Sequence, residues 1–187
     1  MKSLNKYINE GFFSNTGAGL NATVDQWLKA NTVCKRYTIN NDGTIDVYGD
    51  ITIINKKITE FPDYIQFGKV DGNFDCSCSS LKSLKGAPQE VGGYFDCSFC
   101  DSLTSLKGVP EKVGGKFTCF DCDSLKSLKG APKKVGGSFS CSYCSFLKSL
   151  EWAPKEVGGY FDCSECKKQF TEEDVKKVSK VKNKIYI

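Results

Sequence analysis

The sequence predicts a small α+β solenoid, a chain that winds into about six stacked coils around one apolar core. Three observations predict this fold. Near-identical units recur every 22 residues, each unit combines a strand-like apolar pattern with a glycine turn, and both ends of the chain depart from the repeat. A single unit cannot bury its own apolar face, so neighbouring units must stack. We expect a right-handed coil with a parallel β-sheet, closed by a cap at each end.

Four clear units carry the repeat, and the first reads LKSLKGAPQEVGGYFDCSFC. Phenylalanine and cysteine stand two residues apart in each unit, as on one face of a strand. The period of 22 residues lies within the 20–29 residues of leucine-rich repeats, which take Asn or Cys where these units have their second cysteine. Degenerate units before Leu81 bring the total to about six. The clear units are Leu81–Cys100, Leu103–Cys122, Leu125–Cys144 and Leu147–Cys166.

These units resemble the short repetitive leucine-rich-repeat proteins of tailed phages and bacteria, which carry tandem L-T-S-L-x-G-A-P-x-x-V-G-G-x-F-x-C-S units, often after a short α/β lead. The similarity covers about residues 37–168. It implies the solenoid architecture and says little about activity, because that family is mostly uncharacterised. One departure is that Cys100, Cys122, Cys144 and Cys166 stand where asparagine is more usual, so an asparagine ladder is not expected here.

Residues 1–46 are predicted to form an N-terminal α/β lead and cap. Val24, Trp27 and Leu28 follow helical spacing and predict a helix over about 22–30, with Asn21 at its N-cap. A hairpin is predicted around the Asn-Asp-Gly sequence at 41–43, and a further short helix within the first ten residues.

Residues 47–168 are predicted to form the solenoid, and residues 169–187 a C-terminal cap. The run from Thr171 to Asp174 resembles a capping box, with Phe170 and Val175 at the two positions of a hydrophobic staple. We therefore expect a helix over about 172–181, followed by a short strand at Ile185–Ile187.

The composition has eleven cysteines and no histidine. The first cysteine of each C-x-x-C pair stands two residues after a core phenylalanine, so it is predicted to point inward and pack. The alternative is a zinc protein, because paired cysteines 18 residues apart also fit the generic zinc template. The eight candidate ligands under that alternative are Cys97, Cys100, Cys119, Cys122, Cys141, Cys144, Cys163 and Cys166.

No catalytic constellation stands out, and the missing histidine removes the commonest general base, so we expect a non-enzymatic protein without a cofactor. The start of the chain has no signal-peptide pattern, and no run is apolar and long enough for a membrane span. These features predict a cytoplasmic protein with reduced thiols and no membrane partner.

The outward strand positions form the candidate partner-binding surface. Aromatic side chains that face water on a regular sheet can anchor a protein partner, although ordinary variation on a solvated sheet would give the same pattern. Phe99 and Tyr143 follow the strands and extend this surface. The residues predicted to bind a partner are Tyr94, Asp96, Lys116, Phe120, Tyr160 and Asp162.

A lysine column runs along another edge of the predicted coil. Such a row could meet phosphates, but it more often keeps a solenoid soluble, and the net charge of +4 is modest for a nucleic-acid binder. The sequence therefore favours a protein-interaction module, a phage or bacterial accessory protein, over a binder of nucleic acid or another anionic polymer. The partner and the oligomeric state stay open. The column comprises Lys82, Lys126 and Lys148 with Lys85, Lys107 and Lys129.

Overall fold

The computed structural model describes residues 17–77 and 79–187. Within these ranges the chain winds through about six coils with a period near 22 residues, between one N-terminal and one C-terminal helix. The predicted fold class is confirmed. The short helix predicted within the first ten residues lies outside the described ranges.

Each repeat unit gives one short strand to each of two eight-stranded sheets. The sequence pattern indicated the phenylalanine strand, and the structure adds a second strand that carries the repeated valine. Across sheet I the order is β1 (Thr32–Cys34), β4 (Ile51–Ile53), β6 (Phe74–Asp75), β8 (Phe95–Asp96), β10 (Phe117–Thr118), β12 (Phe139–Ser140), β14 (Phe161–Asp162) and β16 (Ile185–Tyr186). Across sheet II the order is β2 (Tyr37–Ile39), β3 (Ile45–Val47), β5 (Phe67–Val70), β7 (Glu90–Val91), β9 (Lys112–Val113), β11 (Lys134–Val135), β13 (Glu156–Val157) and β15 (Lys180–Val181).

Equivalent residues of successive coils stand directly beside one another. Phe95 pairs in parallel register with Phe117, and Val91 pairs with Val113. The inward phenylalanines of β6, β8, β10, β12 and β14 are fully buried, and their ring centroids follow one another at 5.0–5.7 Å. The repeat period therefore becomes a continuous aromatic column that adds to the apolar area removed from water.

The Gly-Gly pair forms the corner between the two strands of a coil because successive coils approach each other closely there. A Cβ built on Gly114 would lie 2.1 Å from the carbonyl oxygen of Gly92, and one on Gly136 would lie 2.1 Å from that of Gly114. No side chain can occupy that space. Positive φ is instead required at Gly86, at Gly108 and at the equivalent glycine of the next unit, on the opposite corner.

The N-terminal cap consists of one helix and two antiparallel strands. Helix α1 spans Gly17–Asn31, and it buries Leu20, Val24 and Leu28 against the first coil. Asn21 is exposed inside this helix, so its predicted role as N-cap is wrong, because the helix begins four residues earlier. The predicted hairpin is confirmed by the antiparallel pairing of β2 with β3, and β1 covers β4 in the same antiparallel way.

The C-terminal cap begins with helix α2 (Glu172–Val178). The capping box is confirmed, because the Thr171 side chain accepts from the Asp174 N–H and the Asp174 side chain accepts from the Thr171 N–H. The staple residues Phe170 and Val175 are both buried. The helix ends three residues before its predicted end, because residues 180–181 leave it to form β15 beside β13.

Candidate partner-binding surface

Nine of the cysteines in the described part of the chain are buried inside the coils. In the second cysteine column, each thiol donates to a main-chain carbonyl one coil back. Cys122 donates to the Cys97 oxygen at 3.2 Å, and Cys144 donates to the Cys119 oxygen at 3.2 Å. Cys100 and Cys166 make equivalent bonds, to Cys76 and Cys141. The units have cysteine where asparagine is more usual, and these thiols make side-chain hydrogen bonds between successive coils at that position.

The first cysteine column bonds in the opposite direction along the solenoid. Cys97 donates to the Thr118 oxygen at 3.5 Å, and Cys119 to the Ser140 oxygen at 3.5 Å, each in the following coil. Burial raises the pKa of the Cys97 thiol well above its usual range, so this thiol is protonated in the packed coil. Within residues 17–77 and 79–187, no three His, Cys, Asp or Glu residues are grouped so that they could hold a metal ion. The contacts favour core packing for the eight candidate ligands.

The predicted partner-binding residues lie on the outer side of sheet I, but they do not form one cluster. Tyr94 is 39% exposed and Lys116 is exposed, whereas Phe120 and Tyr160 are half-buried. Tyr94 and Tyr160 are three coils apart, about 14 Å at the usual strand spacing. Tyr160 contacts Tyr186 of the last strand, with ring centroids 5.5 Å apart.

The predicted aspartates shape the turns that follow their strands. Asp96 accepts a hydrogen bond from the Ser98 N–H at 2.8 Å, and Asp162 accepts from the Ser164 N–H at 3.1 Å. Such bonds between a side chain and a nearby main-chain N–H stabilise turns. Asp96 and Asp162 therefore have a structural role that accounts for their place in the repeat.

Three aromatic residues form a continuous ridge just past the ends of β8, β10 and β12. The ring centroids of Phe99 and Phe120 are 5.2 Å apart, and those of Phe120 and Tyr143 are 5.1 Å apart. Phe99 is 44% exposed and Tyr143 is 46% exposed. We call Phe99, Phe120 and Tyr143 the aromatic ridge. The structure thus groups Phe120 with these two residues and not with Tyr94 or Tyr160.

Two of the three ridge residues have a left-handed backbone, and so does the residue after the third. Phe99 has a φ of 58° and Tyr143 a φ of 60°, and Asp121 holds the equivalent place in the coil between them with a φ of 51°. Bulky residues are uncommon at such angles, which cost about 1–2 kcal/mol each. Because the coil stacking holds this geometry, the exposed rings are presented in fixed positions.

A cluster of three carboxylates adjoins the ridge in the chain, because Asp121 directly follows Phe120. Burial, and next the neighbouring carboxylates of Asp123 and Asp101, raise the pKa of Asp121 above its ordinary value. A cationic group that approached this cluster would relieve the repulsion among the three side chains. The ridge is thus an apolar strip in an acidic setting.

The lysine column lies in the segments that lead from the sheet I strands to the following sheet II strands. Lys82, Lys126 and Lys148 are exposed, and Lys85 forms an ion pair with Asp63 at 2.5 Å. Exposed pairs of this kind contribute little to stability.

Trp152 is a surface feature that sequence reasoning missed. It is 53% exposed, and its φ is 73°. The available signal was the unit alignment, in which Trp152 replaces the glycine found at Gly86, Gly108 and Gly130.

Searches against protein-family models, curated proteins and solved structures find no match to this chain. No helix in the described part of the chain is long and apolar enough to cross a membrane.

Proposed function

We propose that this protein is a non-enzymatic interaction module that binds a protein partner through the aromatic ridge. The observation that carries the proposal is the contact series of Phe99, Phe120 and Tyr143, three adjacent rings that the coil holds at the surface. Aromatic side chains contribute strongly to interface energy, and rings already held in place lose little entropy on binding.

The chemistry of the surroundings indicates the kind of partner. Asp121 directly follows Phe120 in the chain, and it interacts with the carboxylates of Asp101 and Asp123, so a partner surface with apolar and basic groups would complement the ridge. Arginine suits such a surface, because its guanidinium group can stack on a ring while pairing with a carboxylate.

The resemblance to short leucine-rich-repeat proteins of phages and bacteria supports a role as an accessory protein in the cytoplasm. Nine buried cysteines, eight of which donate a hydrogen bond as thiols, suit such a reducing compartment. On this proposal, the C-x-x-C pairs serve the coil and hold no cofactor.

The test is quantitative capture of the cellular partner by immobilised protein. The double variant Phe99→Ala and Tyr143→Ala should lose about 2 kcal/mol or more of binding free energy, roughly thirtyfold in affinity, while its circular dichroism stays unchanged. Tyr48→Ala is the matched control, because Tyr48 is similarly exposed but lies at the N-terminal end of the solenoid.

A charge-reversal variant tests the alternative function, the binding of an anionic polymer through the lysine column. Lys126→Glu with Lys148→Glu should leave capture unchanged under the proposal. Loss of capture by this variant, together with full capture by the ridge variant, would instead assign binding of an anionic polymer to the lysine column.

A further inference from the structure

A second candidate site lies at the corner of the coil that carries Gly108 and Gly130, and its lining includes none of the ridge residues. An open groove of about 600 Å³ crosses three successive coils there. Its apolar lining comes from Val109, Ala131, Pro132 and Ala153, and the exposed indole of Trp152 stands at its end. This volume is within the range of ligand-binding clefts.

The groove is built on a strained residue. In the preceding coils the place of Trp152 is taken by glycines with φ values of 90–108°. At Gly108 an added Cβ would lie 2.3 Å from the Leu84 oxygen, and at Gly130 it would lie 2.5 Å from the Lys107 nitrogen. Trp152 therefore has positive φ at a position where the other units have glycine. Backbone strain of this kind is concentrated at functional sites.

The rim of the groove is basic. Lys133 pairs with Glu111 at 2.5 Å, which leaves three further lysines of the lining facing one glutamate, Glu151. The Lys129 ammonium group lies 5.9 Å from the centre of the Trp152 ring. Those three lysines, Lys107, Lys129 and Lys155, make no ion pair with any residue in the described ranges.

The lining repeats along the solenoid, because equivalent positions of three coils supply it. Two coil steps span about 10 Å, and an extended peptide rises about 3.3 Å per residue, so about three residues cover the floor. We propose that this groove binds an extended protein segment in which apolar side chains are flanked by acidic residues. The apolar side chains contact Trp152 and Ala131, and the flanking carboxylates reach Lys107 and Lys129. This site is independent of the aromatic ridge.

The probe is a fluorescein-labelled hexapeptide, Glu-Glu-Leu-Phe-Glu-Glu, measured by fluorescence anisotropy at low salt. Its charge-reversed partner, Lys-Lys-Leu-Phe-Lys-Lys, is the ligand control. We expect the acidic peptide to bind at least tenfold more tightly than the basic one. Equal binding of the two peptides, or no binding of either, overturns the proposal.

Three variants locate the binding, and a fourth is the control. Trp152→Ala and Trp152→Gly should each weaken the acidic peptide at least tenfold, while Phe146→Ala, which removes an equally exposed ring outside the groove, should not. Trp152→Gly should melt higher than Trp152→Ala, because glycine accepts the positive φ. Lys107→Glu with Lys129→Glu should also abolish binding. Unchanged affinity in the Trp152 variants overturns the proposal.

Sedimentation velocity of the peptide-free protein tests the competing occupant, a second copy of this chain. Self-association that Trp152→Ala abolishes, without peptide binding by the wild type, assigns the groove to that copy and overturns the peptide proposal.

Discussion

Replacing Cys119 by serine tests whether the thiols serve packing. Cys119 is fully buried, and its thiol donates to the Ser140 carbonyl at 3.5 Å. A serine hydroxyl is more polar and sits on a shorter bond, so it would reach that carbonyl less well. We expect Cys119→Ser to fold and to be less stable than the wild type.

The magnitude follows from two opposing terms. Burying a hydroxyl in an apolar site costs about 1–3 kcal/mol, and a hydrogen bond to the carbonyl of Ser140 recovers about 0.5–1.5 kcal/mol at best. A net loss of about 1–2 kcal/mol is expected in the free energy of unfolding. For a chain of this length each kcal/mol shifts the melting temperature by about 2–4 °C, so the expected decrease is roughly 2–8 °C.

The assay is urea unfolding and thermal melting of wild type and variant, each with and without a strong zinc chelator. Cys34→Ser is the matched control, because Cys34 is only half-buried in β1, and its replacement should cost about 0.5 kcal/mol or less. Three results would refute the reasoning: stoichiometric zinc in the purified protein, a lower melting temperature in chelator, or unchanged stability of Cys119→Ser.

Three further predictions concern the coil and its cap. Iodoacetamide at pH 8 should leave the nine buried cysteines unlabelled in the native protein and label them after unfolding. Burial keeps the reagent away from all nine, and it also keeps thiols such as Cys97 and Cys141 protonated, so rapid native labelling mapped by mass spectrometry would contradict this. Gly114→Ala should lower the free energy of unfolding, measured with urea, by more than about 2 kcal/mol, since its Cβ meets a main-chain oxygen. The control Thr104→Ala, at an exposed position, should change little, and equal stability of the two variants would argue against the close approach of the coils. Hydrogen bonds from Thr171 hold the pKa of Asp174 below its ordinary value. The ionised Asp174 side chain therefore stabilises the fold above the unfolded pKa of about 3.9, and this stabilisation disappears as pH falls through the lower folded pKa. Asp174→Asn should therefore be less stable than wild type at pH 7 and match it near pH 2, whereas a difference that does not depend on pH would contradict the capping box.

Several elements could be predicted because their signals are local or strictly periodic. The capping box needs only Thr171 and Asp174, and the hairpin needs only its Asn-Asp-Gly turn. The start of α1 was missed because Asn21 is a good cap residue in isolation, whereas the helix extends four residues further toward the N-terminus, far enough to bury Leu20.

The candidate surface was predicted only in part. The alternation of side chains along a strand correctly placed Tyr94 outward, but it could not show which aromatic rings meet. Phe99 and Tyr143, the neighbours of Phe120, have positive φ in the turns after β8 and β12, and an aromatic residue at that position carries no local sign of this angle.

By itself, the sequence determined the period, the inward phenylalanine and cysteine columns, and the need for coils to stack, because a fixed repeat places identical groups at identical positions. The tertiary structure alone decided the second sheet, the direction of the thiol hydrogen bonds, the ring contacts of the aromatic ridge and the groove beside Trp152. These features depend on contacts between residues about 22 positions apart, such as the carbonyl of Gly92 against Gly114. These contacts form only when successive coils stack on one another.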